Sequence, residues 1–164
     1  MPTPELLKSL KLKGRRFFVY NVKFVCGLQK NKYENECEGA ILSRGIYSTE
    51  INILNYGIRD VTIGKFFTPV VLHNKAIARE PEIMKPVGRE VCKLPAFHAT
   101  MDDCCKIAKM VEPTNLDDQL KIGFLEILSP VQLEVVAVYT VTDLEQTHPT
   151  INVVQVVPRI LTVG

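Results

Sequence analysis

From Lys121 to Thr142 the chain reads KIGFLEILSPVQLEVVAVYTVT, two apolar runs of strand length parted by Ser129-Pro130. Proline has no amide hydrogen and its φ is locked, so no single regular element runs across that break. Each run is short, and Leu133 to Val141 is crowded with valine, the residue type that a pleated, covered surface selects. The expectation is a β-meander, and the pair of runs carries no catalytic signature. It describes a scaffold.

The same period of two recurs upstream. Phe18, Tyr20, Val22, Phe24 and Cys26 fall on one face of an extended segment, opposite Val19, Asn21, Lys23 and Val25. Tyr47, Thr49, Ile51 and Ile53 alternate in the same way against Ser48, Glu50 and Asn52. Val61 to Leu72 is rich in β-branched and aromatic residues, with Gly64 expected at a bulge and Pro69 at an edge or a break. His73 to Arg89, with Pro81, Pro86 and Gly88, reads as a long connection before a short strand at Val91 to Leu94.

One body helix is expected. It starts near Thr100, with Thr100-x-x-Asp103 approximating a capping box and Asp102 and Asp103 complementing the helix dipole. Cys104, Ile107, Ala108 and Val111 follow at helical spacing, and Pro113 stops the helix. Further strands are expected at Ile122 to Leu128, Leu133 to Val141 and Ile151 to Val157, with another at Ile160 to Val163. The fold class is therefore mainly β: an antiparallel β-sandwich or jelly roll of about seven or eight strands, one short helix and an N-terminal arm. The arm is residues 1–16, and residues 17–164 form a single sandwich domain. The expected core comprises Tyr20, Val22, Phe24, Ile51, Ile53, Phe124, Leu125, Val135, Ala137 and Tyr139. Continuous runs such as Val135-Val136-Ala137-Val138 imply strands covered on both faces, which a two-layer sandwich achieves only if the arm, the tail or another subunit adds cover.

Charge and composition narrow the partners. A formal net charge of +2 over 164 residues produces no field that would steer nucleic acid or an anionic membrane. Tyr33, Phe66 and Phe67 beside Lys32 and Lys65 could stack single-stranded bases, but core packing explains Phe66 and Phe67 more simply, so no nucleic-acid partner is expected. No apolar stretch is long enough for a membrane helix and no secretory signal opens the sequence, so synthesis in the cytoplasm is the expectation.

A family resemblance joins these patterns. Tyr47-x-Thr49-x-Ile51-x-Ile53-x-Asn55, then Leu94-Pro95 leading to Asp102-Asp103, then Gly123-x-x-x-Ile127-x-Ser129-Pro130-x-x-Leu133-x-Val135-x-Ala137-x-Tyr139, resembles small bacterial single-domain β-sandwich proteins, including the sensory rhodopsin transducer family. The likeness spans roughly residues 45 to 142 and rests on strand and turn patterns that many sandwiches share. It implies a non-enzymatic domain that oligomerises or binds a protein partner, and transfers no functional residue.

Chemistry, where there is any, lies with the five cysteines: Cys26, Cys37, Cys92, Cys104 and Cys105. No pair has the spacing of a zinc knuckle, and neither a metal nor a cofactor is expected. Buried reduced thiols are the leading reading, with disulfides or a reactive thiol among Cys37, Cys26, Cys104 and Cys105 as the alternative. Cys37, in a polar loop, is the first candidate to stay unpaired or to reach a neighbouring subunit. His98 ahead of Asp102-Asp103-Cys104-Cys105 supplies the ingredients of a thiol nucleophile, but two acids beside the sulfur disfavour its anion. His73 and His148 read as surface side chains.

The arm offers Leu6, Leu7, Leu10 and Leu12 as an apolar set, with Arg15 and Arg16 where it meets the body. Thr3-Pro4-Glu5 is a helix-start signal, while Leu10-Lys11-Leu12-Lys13 alternates like an edge strand, and both conformations stay open. The functional expectation is a self-assembling structural subunit, a homo-oligomer or filament that docks through its arm. The alternative is a ligand-binding or signal-relay module.

Overall fold

The structure is a computed structural model that describes residues 16–30, 42–112, 118–145 and 147–162. Ten strands and one helix are found among them: β1 (Arg16–Gln29), β2 (Gly45–Leu54), β3 (Val61–Leu72), β4 (Lys75–Ala76), β5 (Gly88–Leu94), β6 (Ala99–Asp102), α1 (Cys104–Val111), β7 (Lys121–Ser129), β8 (Glu134–Thr142), β9 (Thr150–Gln155) and β10 (Arg159–Thr162). The architecture is mostly antiparallel β-sheet in a sandwich-like arrangement. One sheet runs β5–β3–β7–β1–β10, with β4 folded back on the end of β3. The other runs β6–β2–β8–β9.

β1 belongs to both sheets, which is why they face each other. Its Phe18–Cys26 stretch pairs with β7, and Gly27 to Gln29 pair with β2. The strand bends at Gly27, whose φ of 110° is open to glycine. A Cβ at Gly27 would also lie 2.4 Å from the Gln119 carbonyl oxygen, so any side chain would push two backbones apart. Thr49 repairs the ladder beside the bend: the Val25 N–H donates to its hydroxyl at 3.0 Å, and the hydroxyl donates to the Val25 carbonyl at 2.8 Å.

Alternation then fills the space between the sheets. Tyr20, Val22, Phe24, Ile63, Phe67, Leu125 and Ile127 from the first sheet meet Ile51, Ile53, Val135 and Ala137 from the second. The Phe24 and Phe67 rings pack edge to face with centroids 5.4 Å apart. The Tyr20 hydroxyl, buried among these apolar side chains, donates to the Leu133 carbonyl at 2.9 Å and accepts from the Leu133 N–H at 2.7 Å. That exchange staples the first sheet to the turn before β8.

The structure departs from the sequence expectations in specific places. Phe124 is 44% exposed rather than core, because β7 turns Leu125 and Ile127 inward and so places Phe124 and Glu126 outside. Tyr139 is only half-buried, with its hydroxyl donating to the Lys23 carbonyl. Gly64 keeps the regular register, and the irregularity of β3 falls between Pro69 and Val71. The helix begins later than its sequence signal: Ala99 to Asp102 find partners in β2, so Asp103, not Thr100, is the N-cap and accepts from the Lys106 N–H at 2.8 Å. The strand count exceeds seven or eight because β4 and β6 are short ladder segments that carry no periodic signal of their own.

Candidate functional site

The cysteines separate into three situations. Cys26 at the bend of β1 and Cys104 at the start of α1 are joined in a disulfide with Cα atoms 5.7 Å apart, which corrects the leading expectation of reduced thiols for this pair. Period-two and helical patterns cannot reveal such a contact, because the two residues stand 78 positions apart. Cys105 next to it is a free, exposed thiol at the edge of a hollow of about 420 Å³ that also touches Tyr47 and Lys121. Cys92 is free and half-buried, and burial raises its thiol pKa while Lys65 works against that rise. A thiol kept protonated is a poor nucleophile. Cys37 lies outside the described residues, as do Leu6, Leu7, Leu10, Leu12 and Arg15.

The nucleophile constellation does not assemble. The sulfur of Cys104 is bonded to Cys26, and the His98 ring sits on its own turn with Nδ1 2.8 Å from the Ala96 carbonyl oxygen. Asp102 is on β6, not in the first helical turn. His73 lies 3.0 Å from Glu112, and His148 lies 3.0 Å from Asp143. Among the described residues no group of three or more histidine, cysteine or carboxylate side chains is arranged to hold a metal.

Sequence reading missed a buried ionic cluster. Lys65 on β3 points into the sandwich, where its Nζ donates to Asp102 Oδ1 at 2.9 Å and lies 2.8 Å from Oδ2, both side chains being almost wholly buried. Lys65 is therefore unavailable to a nucleic acid. Burial raises the Asp102 pKa, and the neighbouring Lys65 charge opposes the rise. Lys106 on α1 completes the cluster by donating to Glu90 on β5 at 2.8 Å, which ties the helix to the sheet edge.

A cleft on the outer face of the first sheet is the other site that sequence reading missed. Arg89 on β5 stands opposite Phe66 on β3, Phe66 opposite Glu126 on β7, and Glu126 opposite Asn21 on β1. One row along, Phe124 stands between Thr68 and Lys23, and the Lys23 ammonium lies 4.3 Å from the centre of its ring. The segment from Met84 to Gly88 forms the wall, pinned where the Val87 N–H donates to the Phe67 carbonyl at 2.9 Å. The cleft has a volume of about 480 Å³. Burial raises the Glu126 pKa. The signal for this face was present in the sequence, since an acid at Glu126 marks its alternation partner Phe124 as outward.

At the open end of the molecule, β9 pairs only with β8, and β10 only with β1, among the described residues. Ile151 and Val153 on one face of β9 are 65% and 62% exposed, and Val154 on the other is also exposed. Val157, Ile160 and Leu161 continue the exposed apolar series. Arg16 is exposed at the start of β1 and sits opposite Thr162 of β10.

No protein-family model and no curated protein matches the chain. A solved structure described as "Crystal Structure of Thermotoga maritima 1070" is similar over 87% of this chain and 93% of its own, at 10% identity and a TM-score of 0.43. So loose a likeness carries no argument about function. Among the described residues no helix is long and apolar enough to cross a membrane.

Proposed function

We propose that the protein is a non-enzymatic, self-assembling subunit in which the arm of one copy docks against the β9–β10 margin of another. The observation that carries this reading is β9, a strand of valine and isoleucine open on both faces and along one edge. Natural edge strands are guarded by charge, yet from Thr150 to Thr162 the sole charged residue is Arg159. An unguarded edge of this kind suits a partner strand.

In this reading the arm supplies one. It precedes Arg16, which pairs with Thr162 of β10, and in an extended conformation its Leu10-Lys11-Leu12-Lys13 alternation would set the leucines on one side. Burying Leu6, Leu7, Leu10 and Leu12 contributes roughly 6–12 kcal/mol, at about 1.5–3 kcal/mol for each side chain. Ordering about fifteen residues at roughly 1–2 kcal/mol each opposes that by as much or more. Docking therefore needs backbone hydrogen bonds as well, and the open edge of β9 offers them.

Deleting residues 2–14 tests the reading. The expected outcome is a native mass reduced to that of the monomer, with an unchanged circular dichroism spectrum. A truncated protein that keeps the full-length oligomeric state overturns it. A second reading, a ligand-binding module, is favoured by the Glu126 cleft. A cysteine-dependent enzyme is the least supported, because Cys104 has no free thiol.

A further inference from the structure

The Cys26–Cys104 disulfide is not sealed in the core. Cys26 is buried and Cys104 half-buried, and both line the hollow of about 420 Å³ that the exposed Cys105 also lines. A volume of that order falls within the roughly 300–1,000 Å³ usual for small-molecule sites. Gly27 and Leu28 line it just past the end of the β1–β7 ladder, where the Leu28 N–H donates to the Asp118 carbonyl at 2.8 Å.

A disulfide reached from a hollow is a reactive group, because an incoming thiolate attacks one sulfur and expels the other. Access and the stability of the leaving sulfur decide which one is attacked. Here the two agree. Cys104, the first residue of α1, is the more accessible partner, whereas Cys26 is only 4% exposed. The Thr49 N–H donates to Cys26 Sγ at 3.4 Å, and that donor stabilises the sulfur once it carries a negative charge. The Ser48 hydroxyl lies 3.5 Å from Cys104 Sγ, which in the disulfide has no proton to give and can only accept. Adjacent residues on a helix do not face each other, so the Cys105 thiol is poorly placed to attack Cys104 itself. The attacking thiol has to come from outside.

We propose that this hollow is an exchange site for a low-molecular-weight thiol, which bonds to Cys104 and displaces Cys26. The incoming thiolate forms a new S–S bond at Cys104 Sγ, the Cys26–Cys104 bond breaks, and its electron pair leaves on Cys26. One disulfide replaces another, so no oxidant is consumed. The Cys26 thiolate can attack Cys104 in turn, which expels the small thiol and restores the original bond. While the adduct lasts, α1 loses its covalent tie to the bend of β1 and keeps the Lys106–Glu90 contact. The site is stoichiometric and does not rest on assembly through the arm.

The test uses the full chain and reduced glutathione at millimolar concentration, followed by acid quenching, maleimide labelling in denaturant and peptide mass mapping. The expected early product carries glutathione on Cys104 and maleimide on Cys26, in at least about tenfold excess over the reverse pattern. Two variants then probe the hollow: Cys105→Ser removes the neighbouring thiol, and Cys105→Phe narrows the opening, with circular dichroism checking that both fold. The adduct should form at least about tenfold more slowly in Cys105→Phe than in Cys105→Ser. Equal rates in the two folded variants overturn the proposal. Glutathione shared evenly between Cys26 and Cys104, glutathione on Cys105 alone, or a disulfide that stays intact overturns it as well. Should Cys105→Phe not fold, the choice between the two sulfurs in the native chain decides alone.

Discussion

The centre of the first sheet and the tail from Asp143 onward are built from similar residues and end in opposite states. In β3 and β7 ladders run along both edges, β1 adds its long ladder to β7, and the inner face is sealed, with Phe24, Phe67 and Leu125 wholly buried. In β9 a sequence just as rich in valine and isoleucine has one paired edge and six exposed residues. Hydrophobicity therefore does not decide burial in this chain. Position in the pairing order does, since β9 is the last strand of its sheet and has nothing opposite its faces among the described elements. What is cohesion at the centre is unused surface at the tail, and the assembly proposal follows from that contrast.

Truncation is the sharpest way to break the comparison. Phe24→Ala should cost about 3–5 kcal/mol in urea denaturation, because it opens a cavity against Phe67 at the middle of the core. Val153→Ala in the tail should stay within about 0.5 kcal/mol in the isolated monomer. Comparable losses at the two positions would mean that the tail belongs to the core after all.

The next effect concerns charge rather than packing. Lys65→Met leaves the Asp102 carboxylate buried without its cation, and should cost about 3–5 kcal/mol, whereas a joint Lys65→Met and Asp102→Leu variant should recover most of that. The pH dependence sets its sign. Burial raises the Asp102 pKa above its ordinary 3.8, so the folded protein holds this proton more tightly than the unfolded chain does. Stability on this account falls as pH rises from 3.8 through the raised value, and removing Lys65 widens that window upward. The Lys65→Met loss should therefore be smaller near about pH 4 than at neutrality. A pH-independent loss would assign the effect of Lys65 to packing.

The smallest effect lies in the tail, where Asp143 shows the reverse shift. The Thr147 hydroxyl, the Thr147 N–H and His148 hold its carboxyl down to about 2, although it is open to water. A depressed carboxylate contributes stability above its ordinary 3.8, and that contribution is lost as pH falls from 3.8 toward 2. For so exposed a group the readout is the titration of its own carboxyl carbon by NMR. Thr147→Ala should move the midpoint upward toward 3.8. An unmoved midpoint would show that Thr147 does not set it.

Local pattern made much of the fold legible. The alternation in Phe18 to Cys26 and in Tyr47 to Ile53 named β1 and β2 with their inner faces, and Ser129-Pro130 marked the turn between β7 and β8. A period of two is a property of neighbouring residues, and it survives whatever the rest of the chain does. Parity could even have corrected one error, because adjacent Phe124 and Leu125 cannot share an inner face. Tertiary structure decided the rest. Whether Thr100 starts a helix or ends a ladder depended on whether β2 had a free edge for it. Lys65 reads as a surface lysine until Asp102 arrives from 37 residues away. The Cys26–Cys104 bond and the row from Arg89 to Asn21 likewise join residues from separate strands and a helix. Charge pairing, disulfide bonding and cleft formation are relations between distant segments, and only the packed chain brings their members within reach.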